Sequence, residues 1–258
     1  MADKIEISPI GYFRSSQVHP YEAGRQPDEH HAEGVIELLP GQQFEQALIG
    51  IELCPMIWVI FQFHHNPHWN PMVLPPRGRD TKIGVFATRS PYRPNGIGMS
   101  CVEIRSISKL SITVTGADIL DGSPILDIKP YVAYADSFPG VEPAWLAEAQ
   151  KFAVSFTPDA EKKLQHLENQ ELTQLRSFLL HQLEYEPTNG KKKRVKADGN
   201  EFVIAYRTWR ARFEVNDRAL VVLDIFSGYS EEDLQAKEDP YHDKNLHREF
   251  KKLFPPSR

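Results

Sequence analysis

The chain has 258 residues, of which 41% are apolar and 25% charged, and its 30 Lys and Arg against 35 Asp and Glu give a formal net charge of -5. That composition belongs to a folded globular chain, not a disordered or fibrous one, and the negative balance excludes a nonspecific nucleic-acid coat protein. No apolar run reaches the roughly 20 residues that cross a bilayer, and the opening MADKIEIS has no signal-peptide apolar region, so a cytoplasmic protein is expected, with Cys54 and Cys101 as reduced, buried thiols.

In chain order, the runs at 5–13, 33–39, 56–64 and 82–88 are rich in β-branched and aromatic residues, are punctuated by Gly and Pro, and read as strands. In LSITVTG, Leu110, Ile112 and Val114 alternate with Ser111, Thr113 and Thr115, the pattern of a half-buried antiparallel strand. One short helical candidate, 44–49, leaves too few crossover helices for a doubly wound parallel sheet. The expected class is therefore mainly β, a small antiparallel β-barrel and not a Rossmann fold.

The character changes after Pro139. Thr157 is placed to cap a helix with Pro158 at its first position, and Ala160, Leu164, Leu167, Leu172, Leu175, Leu179 and Leu183 recur at helical spacing until Pro187. A basic loop, 190–199, leads into β-type runs at 202–215 and 219–226, joined as a hairpin at Asn216-Asp217, and a last helix is expected at 244–253. The expected division is a barrel over 1–155 and a smaller α+β domain over 156–258.

Among chemistry-bearing groups, His64, His65 and His68 form HHxxH, with His30 and His31 as a second pair. Zinc ligands do lie this close in sequence, but His64 and His65 would take opposite faces of a strand and no nearby Glu or Cys completes a set, so no metal is expected. Neither a GxSxG elbow nor a P-loop is present, and the Gly96-Ile97-Gly98 triplet leads into a strand, the wrong context for a Rossmann cofactor loop. In the segment from Gly84 to Gly98, Arg89 and Arg93 flank Ser90-Pro91-Tyr92 ahead of a Pro94-Asn95-Gly96 turn, so two guanidinium groups stand on a stiffened loop suited to carboxylate or phosphate. A second turn, Asp121-Gly122-Ser123-Pro124, precedes ILDIKPY, where Asp127 and Lys129 need partners or a functional reason.

GVFATRSPYRPNGIGMS and DGSPILDIKPYV together resemble the paired signature of the TsaA/YaeB family of tRNA adenine-N6 methyltransferases. IGYFRS, GRQP, WVIFQFHH and the C-terminal hairpin extend the resemblance over most of the chain, weakening after about Ser227. It implies a β-barrel, homodimeric enzyme that uses S-adenosylmethionine to methylate N6 of threonylcarbamoyladenosine beside the anticodon of threonine tRNA. It also implies a cofactor site of Gly24, Arg25, Gln26, His64, His65, Arg89, Met99, Leu120, Asp121, Gly122 and Ser123. The catalytic candidates are Asp121, His64 and Arg93, the last facing a substrate carboxylate, with Asp127 as a further base candidate. His65 stands where the family usually has Gln.

Eight basic residues against two acidic ones between Lys191 and Arg212, with Tyr206 and Trp209 interleaved, suggest phosphate contacts and stacking surfaces for RNA. Two rival readings are a metal-dependent hydrolase built on His64, His65 and His68, and a non-catalytic RNA-binding barrel.

Overall fold

A computed structural model describes residues 5–20, 33–146 and 148–255. It divides into two compact units, 1–147 and 148–258.

The first unit is built on β1 (Gly11–Ser15), β2 (Glu33–Leu38), β3 (Met56–Gln62), the two-residue strands β4 (Met72–Val73) and β5 (Ile83–Gly84), β6 (Ile97–Ser108), β7 (Ser111–Thr115) and β8 (Pro124–Pro130). Short helices α1 (Phe44–Ala47) and α2 (Ala133–Asp136) and two 3-10 turns complete it. Six strands close an antiparallel barrel in the order β1-β2-β7-β6-β3-β8, while β4 and β5 pair apart from it. Alternation drives the closure: Phe13, Ile36, Ile57, Val59, Val102, Ile112, Val114 and Ile125 all point inward at 1% exposure or less. The mainly β, non-Rossmann architecture is as the sequence predicts. The run at 82–88, by contrast, is a strand only at Ile83–Gly84 and then curls into a 3-10 turn, Val85–Ala87. Cys54 and Cys101 are unpaired and partly buried.

In the second unit, β9 (Ala153–Phe156), α3 (Pro158–Glu168), α4 (Gln174–Leu183), β10 (Val195–Asp198), β11 (Glu201–Tyr206), β12 (Trp209–Asn216), β13 (Ala219–Ser227), α5 (Glu231–Gln235) and α6 (Lys244–Leu253) follow in order. The sheet runs β10-β11-β12-β13-β9, antiparallel except for β9 against β13. This unit starts at 148, eight residues ahead of the boundary expected from sequence, and so takes in β9. Thr157 caps α3 by accepting the Ala160 N–H at 3.2 Å. The leucine run is two helices, because the five-residue step from Leu167 to Leu172 breaks the 3–4 spacing and Glu171 takes a left-handed φ of 69°. Leu164, Leu167, Leu175, Leu179, Leu183 and Phe250 pack on Ile204, Tyr206, Trp209, Ala211, Phe213, Leu220, Val222 and Ile225, which places the helices on one face of the sheet.

Candidate functional site

The predicted residues that the structure describes converge best where β3 ends and β8 begins. Residues 120–123 form a turn closed by Ser123 N–H donating to Leu120 O at 3.2 Å, with Gly122 at φ 73°, a conformation that L side chains resist. Backbone bonds of 2.8 Å stitch the turn to β1 and its sequel, Asp121 N–H to Gln17 O and Gly122 N–H to Phe13 O. The Asp121 carboxylate accepts the Ser15 N–H through Oδ1 at 3.0 Å, and its Oδ2 makes no bond among the described residues.

Ser123, only 2% exposed, places its hydroxyl 3.2 Å from His64 Nδ1. This contact turns Nε2 toward Gly122, where an added methyl group would sit 3.9 Å from it. β3 stops at Gln62 and the chain folds back, His64 N–H donating to Gln62 O at 2.9 Å, so the His64 and His65 rings meet with centroids 4.0 Å apart and planes tilted by 40° instead of taking opposite faces. Although His64 is exposed as a residue, desolvation of its ring and, second, the neighbouring His65 hold its pKa below the ordinary histidine value, which keeps it neutral at physiological pH. The tautomer that carries its proton on Nδ1 and donates it to Ser123 leaves Nε2 as an acceptor; the other tautomer reverses the two roles. Among the described residues no three His, Cys, Asp or Glu side chains form a metal set.

The Gly84 to Gly98 loop uses its arginines differently. Arg93 Nη1 donates to Thr88 O at 2.7 Å and Val85 O at 3.3 Å, with the guanidinium 5.9 Å from the Phe86 ring centroid; Nη2 and Nε make no bond among the described residues. Arg89 is exposed and lies beside the outer face of β6, where it opposes the rise that burial and Asp136 impose on the Cys101 thiol. Met99 is on that outer face at 45% exposure, whereas its neighbour Ser100 points into the barrel, fully buried and with its hydroxyl unpartnered among the described residues. Gly24, Arg25, Gln26, His30 and His31 lie outside the described residues.

Asp127 and Lys129 find each other. A register shift between Ile60 and Phe61 turns both to the outer face, where their side chains pair at 2.8 Å, about half exposed. Asp127 is therefore accounted for by a surface ion pair, apart from the turn that holds Asp121.

Sequence reasoning passed over Ser15 and Gln17, which sit in an undistinguished Ser-Ser-Gln stretch. Gln17 is 3% exposed and its Oε1 has no hydrogen-bond partner among the described residues. Buried as it is, that oxygen is no acceptor for a ligand, and Asp121 Oδ2 is the open acceptor at the turn, suited to a hydroxyl or ammonium group.

The sequence profile described as the tRNA-methyltransferase O N-terminal domain matches residues 12–137. The tRNA (adenine(37)-N6)-methyltransferase of Escherichia coli K12 is 34% identical over 223 residues, covering 83% of this chain and 92% of its own. The chain belongs to the tRNA-methyltransferase O family. It is therefore an enzyme of the methyltransferase class. Crystal structures titled as TrmO from Pseudomonas aeruginosa superpose with TM-scores of 0.61 and 0.60 at 31% identity, covering 88% and 86% of this chain and 99% and 98% of theirs. A Methanothermobacter thermautotrophicus protein named "Probable S-adenosyl-L-methionine-binding protein" is 37% identical over 134 residues, which span 52% of this chain and 95% of the relative.

The basic segment departs from its expected role. The Lys192 side chain is 2% exposed and pairs with Glu186 at 2.7 Å, and Lys193 donates to the carbonyls of Gln182 and Tyr185, so two of the three consecutive lysines serve the fold. Tyr206 and Trp209, expected as stacking surfaces, are 3% and 1% exposed; Trp209 stacks on buried His247 at 3.8 Å. Their alternation along β11 and β12 points both rings toward the helices.

Proposed function

We propose that this methyltransferase moves the methyl group of S-adenosylmethionine to N6 of adenine 37 in tRNA, and that the acceptor is N6-threonylcarbamoyladenosine beside the anticodon of threonine tRNA. The observation that carries the reading is the Asp121-Gly122-Ser123 turn locked against β1 with neutral His64 laid over it. The cofactor supplies an electrophilic methyl group on a sulfonium, and the reaction is an in-line displacement in which alignment dominates. Asp121 Oδ2 is the acceptor for one of its hydroxyl or ammonium groups, and Gly24, Arg25, Gln26, Arg89 and Met99 complete its binding set. The acceptor nitrogen carries an electron-withdrawing carbamoyl group, so its proton must leave as the N–C bond forms. His64 Nε2 takes that proton, with Ser123 holding the ring, and Asp121 is the alternative acceptor. Arg93 offers Nη2 and Nε to the threonyl carboxylate while Nη1 secures its own loop.

A homodimer is part of the proposal. The outer face of β3 and β6 exposes Met56, Ile97 and Met99, and Tyr134 and Phe138 near it are 93% and 69% exposed, an apolar surface of the kind that marks an interface. No helix among the described residues is long and apolar enough to cross a membrane, and the cytosol is where the proposed substrate is found.

The deciding experiment incubates the protein with labelled S-adenosylmethionine and tRNA bearing or lacking the threonylcarbamoyl group, followed by nucleoside mass spectrometry. Methylation of the modified tRNA alone is the expected result. Methylation of unmodified tRNA refutes the finer substrate, and no methylation of either refutes the reading.

A further inference from the structure

The sheet of the second unit has one face covered by helices and one that is not. Val195, Ile204, Tyr206, Trp209, Ala211 and Phe213 point inward, so the alternate residues Arg194, Lys196, Val203, Ala205, Arg210 and Arg212 occupy the opposite face. At one end Arg212 pairs with Asp198 and Glu201, at 3.2 and 3.3 Å, and that charge is answered within the fold. At the other end Arg210 stands differently. It is half-buried, its guanidinium lying so close over Gly228 that an added methyl group there would come within 2.6 Å of Cζ. Its Nη1 is spent on two carbonyls, Trp209 O at 2.8 Å and Arg207 O at 3.2 Å. Among the described residues no carboxylate reaches it, and Nη2 and Nε make no bond.

The charge that acts on it is of the same sign. Arg194 and Arg210 flank Ala205 on either side, about 10 Å apart as two strand spacings, and the short alanine leaves room between them. Burial and the proximity of Arg194 both weigh against the charge on Arg210, which is the signature of a cation lacking its counter-ion. A half-buried guanidinium whose fork is oriented by its own backbone and left open is built for bidentate capture of an anion.

We propose that Arg210, with Arg194 across Ala205, is a seat for a phosphodiester of the tRNA backbone, so that the open face of the β10–β13 sheet docks RNA while the first unit carries the chemistry. This rests on the tRNA reading above. It relocates the RNA contact from the lysine run to one preorganised arginine.

The test compares wild type, Arg210→Met and Arg210→Lys in the full chain, by filter binding of tRNA across a salt series, with S-adenosylmethionine calorimetry and thermal melts alongside. Loss of one phosphate contact is expected to weaken tRNA binding on the order of tenfold and to lower the salt slope by about 1 in Arg210→Met. Arg210→Lys, which keeps the charge without the fork, should recover the slope and part of the affinity, with cofactor binding unchanged in both. Inorganic phosphate at millimolar concentration should not displace tRNA, which separates an RNA seat from a simple anion site. Equal tRNA affinity and slope in wild type and Arg210→Met overturn the proposal even where wild type methylates tRNA normally. If Arg210→Met melts early, Arg210→Lys decides: with a wild-type melt, a partial loss of tRNA affinity supports the seat, whereas full wild-type affinity overturns it and assigns the arginine a structural role. Failure of wild type to bind any tRNA would instead overturn the underlying reading.

Discussion

Gly122→Ala separates the structural role of the Asp121 turn from its chemical one. At φ 73° an alanine takes on left-handed strain of about 1 kcal/mol. Space adds nothing to this, because the new Cβ meets His64 Nε2 at 3.9 Å, an ordinary van der Waals contact. For a unit of this size that strain lowers Tm by about 3 °C, which leaves the protein folded at assay temperature. The same methyl group, however, covers the nitrogen assigned to accept the proton and narrows the approach to Asp121. Methyl transfer is therefore expected to fall more than tenfold, about 1.4 kcal/mol of transition-state stabilisation, well beyond the stability loss. Calorimetric melting, cofactor titration and single-turnover methylation of modified tRNA measure the three quantities on one preparation. Activity within twofold of wild type, at the expected Tm, would show that the face of His64 over Gly122 takes no part in the reaction.

The histidine pair predicts a pH signature. His64 binds its proton less readily folded than unfolded, so its contribution to stability is full above the ordinary value of about 6.5 and is lost as pH falls below it. Activity should hold into that same range, and His65→Ala, which removes the like-charged neighbour, should move the NMR titration midpoint of His64 upward; a midpoint that stays put would disprove the coupling. Lys192→Met should destabilise the second unit by about 2–3 kcal/mol by orphaning the Glu186 carboxylate, whereas Lys191→Glu, at an exposed position, should leave the melt unchanged. Equal melts for the two variants would contradict the inward placement of Lys192. Met99→Glu should shift sedimentation from dimer to monomer, and an unchanged sedimentation coefficient at micromolar concentration would exclude the outer face as the interface.

How much of this was legible in the sequence depends on whether the signal is local. The last helix is expected at 244–253 and found at Lys244–Leu253, and Thr157 caps where a Thr-Pro start requires it, because caps and apolar spacing are short-range properties. β9 carries no local strand signal, because four residues of mixed polarity become a strand only through pairing with β13, some sixty residues away. α5 does carry a local signal, because Ser230 and Asp233 form a capping box and three acidic residues fill the first turn. The site divides similarly. The Asp121 turn was found because Asp-Gly-Ser-Pro announces a turn, but the contributions of Ser15 and Gln17 come from barrel closure, which no local pattern records.

The cationic residues show where a stronger reading was available. Counting charges between Lys191 and Arg212 treated eight residues as one patch, yet Lys192 and Lys193 are consumed by Glu186 and by backbone carbonyls, and Arg212 by two acids. Parity would have separated them. Val195, Ile204 and Trp209 are each apolar and each followed or preceded by Arg or Lys or by a small residue, so period-two alternation alone puts Arg194, Lys196, Arg210 and Arg212 on one face and both aromatic rings on the other. Only the three-dimensional pairing then distinguishes Arg212, which is answered, from Arg210, which is not. Charge composition locates a segment, periodicity locates a face, and the missing counter-ion locates the residue on which a bound polyanion would act.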